Sequence, residues 1–567
     1  MLGSDAMVAV LRRLGIDHVA LNPGASTRGL HESLVHARRP EIVLALHEEV
    51  AVDVAHGYYK ACGRPMAVLL HDLVGLQHAS MAIFNAWIDQ TPMLVIGGSG
   101  PADTSRRRPW IDWIHASRWQ GLAARDIVKW DDQPASLPGV LAGLVRGVRL
   151  AEAPPRGPTY VAVDALLQEE DADVALPDPA AYPVAHPLAA PPAEIERLAD
   201  LLGGAERPVI VTDGTGRDPA AYAPLIALTE ALAAPVVDLG GSHSFPSTHW
   251  ADCTDGRAAV LAEADAVLAL DARDVTWALS TVDLETHGSR LLVRPGTPVA
   301  SVGLGGLLHR GFLDREAQPE VAVDLTASTA TVLASLAELV RERVDPEVVE
   351  RRGRAVRSRS AGLRTQASVE ARRLHDRRPI SPARIAREVG ALLEGDEWMV
   401  ANGTLEGWVR RLWPCDTPRC HLGTSGGAGV GYGPGASVGA ALATRGSGRI
   451  VVDFQSDGDL LYTPTALWTA AHHRLPLLVV TMNNRSYGKD RLHQATVARL
   501  RGRGIDRVHE GIDIDDPPVD LAMLARAQGV EGFGPVTDPD CLADAVSAAL
   551  GAVREGRPAL VDVVVGR

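Results

Sequence analysis

The stretch GRIVVDFQSDGDLLYTPTALWTAAHHRLPLLVVTMNNRSYG, residues 448–488, decides how the chain folds. Its first apolar run has the length and β-branched content of a buried strand, and it stops at a turn made by Ser456, Asp457 and Gly458. A segment with helical spacing follows, then a second apolar run that ends in Asn483 and Asn484. Strand, helix and strand form a parallel unit whose strands end on the same edge of the sheet. Asp457 and Asn484, 27 residues apart, therefore converge there. A carboxylate and an amide carbonyl are hard oxygen ligands, suited to Mg²⁺ sharing its coordination with a diphosphate, and the backbone carbonyl of Ser486 offers a third oxygen.

Outward from this stretch, EWMVAN (397–402) and PALVDVVV (558–565) read as further strands of the same unit. The N-terminal part alternates strand-like runs DHVALNPG, EIVLALH, PMAVLLHD, PMLVIGG and TYVAVDA with helical segments. The middle part does the same with PVIVTDG, APVVDLG, DAVLALDA and RLLVRPG. The proline-rich connector DADVALPDPAAYPVAHPLAAPP (171–192) separates the first two. An arginine-rich segment, 341–378, precedes the third; its mixed signs mark a solvated linking helix and not a nucleic-acid patch. The expected fold class is α/β, with three consecutive parallel-sheet α/β domains at 1–170, 193–340 and 380–567.

Composition narrows the function. The 567 residues are 46% hydrophobic and 22% charged, as in globular chains, and the net charge of −14 repels phosphate backbones, so nucleic acid is excluded as the main partner. No apolar run is long enough to span a membrane. Five scattered cysteines and a helical start without signal-peptide character fit a cytoplasmic protein.

The 448–488 stretch resembles the thiamine-diphosphate signature of the family that contains acetolactate synthase, pyruvate decarboxylase and benzoylformate decarboxylase: a GDG turn and, about 27 residues on, a double asparagine. Here Ser456 replaces the first glycine, and Asp459 adds a carboxylate beside the turn. The resemblance implies Asp457, Asn484 and Ser486 as Mg²⁺ ligands, with Ser456, Gly458, Asp459 and Tyr487 near the cofactor. TSGGAGVGYGPGASVGAAL (424–442) matches the loop that supports bent thiamine, placing the Ala428 carbonyl on the 4′-amino group and Val430 under the rings. ANGTLEGW (401–408) puts Asn402 and Thr404 near the diphosphate.

Residues 41–98 resemble the family's pyrimidine-binding half, with GYYKACGRP and HDLVGLQHASMAIFNAWIDQTPMLVIGG keeping its pattern. This implies that Glu48 is the carboxylate that bonds N1′ of the aminopyrimidine and thereby prepares removal of the thiazolium C2 proton. NPGAS supplies Asn22, Pro23, Gly24 and Ala25 of the first cofactor-facing loop, Ala25 giving a pocket of intermediate width. His71 stands where benzoylformate decarboxylase has its active-site histidine, and Asp490 where pyruvate decarboxylases keep a relay glutamate. His31, His47 and His78 lack metal-ligand spacing with one another.

The function implied is decarboxylation of a small-molecule 2-oxo acid, carboligation of the acyl anion, or both, with thiamine diphosphate and Mg²⁺. FAD is not expected. The alternatives are C–C cleavage of an α-dicarbonyl compound without CO₂ release, or an inactive cofactor-binding homologue acting as an interaction subunit. The family pairs the pyrimidine half of one subunit with the diphosphate half of another, which implies a homodimer at minimum and a homotetramer as the expected assembly.

Overall fold

The five N-terminal apolar runs become neighbours in one parallel sheet of the computed structural model, which describes residues 1–108, 111–283, 286, 288–307 and 319–567. The strand order is Glu41–Leu44, His18–Leu21, Ala67–Leu70, Met93–Ser99, Pro158–Asp164 and Asp131–Asp132. The last, a two-residue edge strand, carried no apolar signal. All pairings are parallel, so the loops after Leu21, Leu44, Leu70 and Ser99 emerge on one edge.

The middle sheet is parallel too, in the order Val321–Leu325, Val299–Val302, Ala266–Leu270, Pro208–Thr212 and Val236–Asp238. One expectation is corrected here. RLLVRPG does not join this sheet: Ser289–Leu291 pairs antiparallel with Ser280–Val282 in a two-stranded ribbon. The sheet positions go instead to Val299–Val302 and to the edge strand Val321–Leu325, in which Val323 and Leu325 are the buried residues. Part of the arginine-rich segment forms one helix, Pro346–Arg373, mostly exposed, with Arg352 buried and donating to the carbonyls of Leu232 and Gly203.

The C-terminal sheet runs Trp398–Asn402, Ile450–Ser456, Leu477–Asn483, Ala559–Val564 and Glu531–Val536, again all parallel. The N-terminal and C-terminal sheets share one apolar core, in which Val50, Val54 and Tyr58 meet Val438, Ala441 and Leu442. At its centre the helix Glu48–Cys62 crosses the helix Tyr432–Ala443 at backbone distance. A Cβ on Gly57 would overlap the Ala436 carbonyl, one on Gly439 would overlap the Val54 carbonyl, and one on Gly435 would stand 2.6 Å from the Asp53 Cβ. Three glycines thus bring the two domains together, a use of the glycine-rich segment beyond the loop that precedes its helix. Among the described residues no helix is long and apolar enough to cross a membrane.

Candidate active site

The register pairs Ser456 with Met482, so the Asp457 turn and the double asparagine leave the sheet side by side. Asp457 is buried at the start of a short helix, and its Oδ2 accepts from the Arg485 N–H at 2.7 Å. The Asn484 Oδ1 accepts from the Ser486 N–H at 2.9 Å. Between these two bonds Arg485 adopts a φ of +56°, a conformation costly for a residue with a side chain and kept where the surrounding structure requires it. Tyr487 packs on Gly458, where a Cβ would stand 2.8 Å from its ring. Burial raises the Asp457 carboxyl above the usual range, against the pull of its backbone donors. A buried carboxylate held by N–H groups beside an amide oxygen is a donor set that fits Mg²⁺.

The glycine-rich loop is held by the N-terminal domain of the same chain. Asp89 Oδ1 accepts from the Gly426 N–H at 2.9 Å, and Asn85 Oδ1 accepts from the Gly429 N–H at 3.2 Å. Asp89 is itself buried and pinned by Lys60 at 2.5 Å and His56 at 3.1 Å. Ala428 sits within this clamp at φ +51°, and Val430 is 38% exposed, facing outward from its own chain. Asn85 and Asp89 were missed by the sequence reading because their partners lie more than 330 residues away. Asp459 turns to the same loop: its Oδ1 accepts from the Gly431 N–H at 2.5 Å and its Oδ2 from the Gln455 amide. Its carboxylate braces the glycine loop.

Asn402 is buried and donates to Asp453 Oδ1 and Gln455 Oε1 at 3.1 and 3.0 Å, tying two strands together. Thr404, Ser456 and Asp490 are exposed, Asp490 on the first turn of the helix Gly488–Leu500.

On the N-terminal edge, Glu48 opens its helix and is buried, with Oε2 3.1 Å from His78 Nδ1. A Cβ on Gly75 would lie 3.2 Å from Glu48 Oε1 and 3.6 Å from the His71 Cβ, so the Glu48 carboxylate and the stem of His71 flank one glycine. His71 also packs on Gly24, and its Nδ1 is 2.9 Å from Ser26 Oγ. Burial first, and His115 second, lower the His71 pKa, leaving a neutral imidazole at pH 7. Asn22 donates to the Ala45 carbonyl at 3.0 Å, while Pro23 and Ala25 are exposed. His47 and His78, which lack metal-ligand spacing in the sequence, meet in the fold: their rings stack with centroids 5.2 Å apart, and the ligand atoms of His47, Glu48 and His78 lie within 4.8 Å of one another. The strands before these two helices both pair with His18–Leu21, which brings the start of one helix beside the second turn of the other, a proximity that linear spacing does not show.

Glu48 and the next residue face different surroundings. Glu49 points at the chain's own C-terminal domain, its Oε1 3.0 Å from where a Cβ on Gly431 would be. Burial, reinforced by Asp459, lifts its carboxyl to about 7, and burial likewise raises Asp53 and brings Asp453 to about 7. A carboxyl raised on folding contributes stability below its unfolded pKa and loses it as pH rises through the folded value, here from about 4.5 to about 7. The Tm of Glu49→Gln is therefore expected to rise above that of the wild type as pH is raised from 5 to 8, and a constant difference in calorimetric scans would contradict this.

Comparison with known proteins follows the same two edges. Residues 1–118 match the thiamine pyrophosphate enzyme N-terminal TPP binding domain, and residues 401–563 match the C-terminal TPP binding domain. The chain is 27% identical to benzoylformate decarboxylase of Pseudomonas aeruginosa, over 99% of this chain and 98% of that one. It is 25% identical to the acetolactate synthase isozyme 3 large subunit of Escherichia coli, over 99% and 94%. Among solved structures, the thiamine diphosphate-dependent 4-hydroxybenzoylformate decarboxylase of Rhodococcus jostii superposes with a TM-score of 0.76 at 22% identity, covering 100% of this chain and 99% of that one. Benzoylformate decarboxylase from Polynucleobacter necessarius gives 0.77 at 18% identity, covering 100% and 98%.

Proposed function

The chain belongs to the thiamine pyrophosphate enzymes, and from that membership we propose that it decarboxylates a small 2-oxo acid, with or without transfer of the acyl anion to an acceptor carbonyl. The observation that carries this reading is the convergence of Glu48 and His71 on Gly75. One is a buried carboxylate suited to the cofactor's aminopyrimidine, the other a neutral imidazole suited to the proton that aldehyde formation takes up. Thiamine diphosphate supplies, when bound, a carbon nucleophile and an electron sink. Asp457, Asn484 and the Ser486 carbonyl would hold Mg²⁺, and Ala428 and Val430 would support the rings. The carboligase reading is kept open by Ala25, a small side chain exposed in the loop whose Gly24 packs on His71.

In this reading residues 1–170 bind the pyrimidine, 193–340 form the central domain and 380–567 bind the diphosphate, in a cytoplasmic enzyme without FAD. Two observations support a homodimer as the minimal unit and a homotetramer as the assembly. Glu48 is engaged by His78 of its own domain, while Glu49 faces its own Gly431. Val430, which would support the rings, lies open on the surface of a single chain.

A panel of aliphatic and aromatic 2-oxo acids, assayed for CO₂, aldehyde and 2-hydroxy ketone with thiamine diphosphate and Mg²⁺ added, tests the reaction. No consumption of any member would refute it. Asp457→Ala tests the site: a ligand at 100 times its Kd stabilises a protein by about 2.7 kcal/mol. The wild type should show a clear Mg²⁺-dependent rise in Tm on cofactor addition, and the variant should show none. An undiminished shift would remove Asp457 from the metal site.

A further inference from the structure

A backbone carbonyl serves as a metal ligand only when its peptide is held facing the other ligands, and a distant segment of this chain fixes the Ser486 peptide. Residues 512–514 run antiparallel to residues 485–487, with Ser486 opposite Asp513. The Ile514 N–H donates to the Arg485 carbonyl at 2.9 Å, and the Tyr487 N–H donates to the Ile512 carbonyl at 3.2 Å. A trans peptide is planar, with its N–H and C=O directed to opposite sides. The peptide that aims the Tyr487 N–H at Ile512 therefore aims the Ser486 carbonyl away from that segment. The preceding peptide obeys the same rule: the Arg485 carbonyl faces Ile514, and the Ser486 N–H turns the other way, to Asn484 Oδ1 at 2.9 Å. Both backbone groups of Ser486 thus face the side on which the Asn484 amide oxygen lies.

We propose that Asp513 is a positioning residue for this loop: it locks residues 512–514 against residues 485–487 and so sets the affinity of the site for a divalent cation. The inference rests on the thiamine-diphosphate and Mg²⁺ reading of the site. The Asp513 carboxylate is buried and has three partners. Its Oδ1 accepts from the buried Ser486 hydroxyl at 2.6 Å, and its Oδ2 accepts from Arg491 Nη1 and, at 2.8 Å, from Arg567 Nη1. Arg491 lies on the helix Gly488–Leu500 that follows the loop. Arg567 also donates to the Asn484 carbonyl at 3.3 Å and pairs with Asp515. One carboxylate thereby ties together a serine of the loop, the helix after it and the residue that holds Asn484. Asp513 is not a ligand: both its oxygens are engaged by these donors, and it acts through Ser486.

The loop needs such a clamp because of its own strain. Arg485, at φ +56°, is held from both ends of its residue: its N–H by Asp457 Oδ2 at 2.7 Å and its carbonyl by the Ile514 N–H. A side-chain-bearing residue keeps this conformation only where its surroundings over-determine it. With the 512–514 segment released, Arg485 is free to relax and the peptide after Ser486 to turn, which takes the carbonyl out of line with Asn484 and Asp457. The two guanidinium groups of the clamp match the carboxylates of Asp513 and Asp515, so it adds no net negative charge beside a diphosphate.

The test uses the full-length protein with Mn²⁺ as the probe, its free form counted by EPR in the presence of thiamine diphosphate. Asp513→Ala, Ser486→Ala and the double variant are compared with the wild type. Asp513→Ala should raise the Mn²⁺ Kd by roughly 10- to 100-fold, the usual cost of removing a group that orients a metal ligand. Ser486→Ala keeps the carbonyl and loses the bond to Asp513, so it should weaken Mn²⁺ binding in the same direction. The double variant should lose less than the two single losses combined, because both remove one hydrogen bond. If Asp513→Ala does not fold, Ser486→Ala carries the test alone. A merely structural role would lower the Tm and leave the Mn²⁺ Kd where it was. Wild-type Mn²⁺ affinity in Asp513→Ala or in Ser486→Ala, or fully additive losses in the double variant, would overturn the assignment. If Asp457→Ala loses Mn²⁺ while Asp513→Ala keeps it, the reading of the site stands and this inference alone falls. A wild type that binds no Mn²⁺ with thiamine diphosphate would overturn both, and needs no variant to show it.

Discussion

Glu48→Gln is expected to bind thiamine diphosphate with Mg²⁺ as tightly as the wild type and to lose catalysis by 10²- to 10⁴-fold, the usual worth of a positioned acid-base group. Glutamine keeps the length and the carbonyl oxygen, so the contact with Gly75 survives and the fold does not change. What it cannot do is accept or give up a proton at the aminopyrimidine. The check has two parts. Cofactor binding, followed by the Tm rise, should be retained, while hydrogen–deuterium exchange at the bound cofactor's C2 position, followed by NMR, should slow in proportion to kcat. Exchange at the wild-type rate would mean that another group performs this step. His78, 3.1 Å from the Glu48 carboxylate, would then be the residue to replace next.

Gly439→Val is expected to have the largest effect on stability. A Cβ there overlaps the Val54 carbonyl and stands 2.7 Å from the Tyr58 nitrogen, both backbone atoms in the middle of a helix that cannot yield independently. Overpacking of this kind costs on the order of 3 kcal/mol, at the upper end of what such insertions do. For domains of this size that is a fall in Tm of roughly 6 to 12 °C, or loss of soluble protein. Gly551→Ala is the control: it also lies in a helix, but a Cβ there meets nothing within 4 Å, and the change should raise stability by about 0.5–1 kcal/mol. Equal behaviour of the two variants would show that the helix crossing is looser than its backbone contacts indicate.

Most strands of the three sheets were legible because buried parallel strands are continuous apolar runs of fixed length. Failures came where that signal is weak. Glu531–Val536 contains two glycines and a proline and becomes a strand because it lies beside Ala559–Val564, and Asp131–Asp132 pairs through its backbone with no apolar side chain. RLLVRPG had the signal but not the place. At the site, Asp457, Asn484, Glu48 and His71 stood out because each closes a strand-to-helix turn within a dense motif. Ser26 and His115 did not, being 45 and 44 residues from His71 and joined to it by side chains alone. Asp459 was readable as a residue close to the turn, yet its orientation toward Gly431 depends on a loop 28 residues earlier.

The crossing of Glu48–Cys62 with Tyr432–Ala443 also bears on how the protein is made. Gly57 and Gly439 are 382 residues apart. At the ~5–20 residues per second of synthesis, the apolar face that Val50 and Val54 present to the second helix waits on the order of 20 to 75 s for its partner to leave the ribosome. The first sheet can pair its strands in that interval, but it cannot cover that face. The nascent N-terminal domain thus exposes that face until about three quarters of the chain has been synthesised.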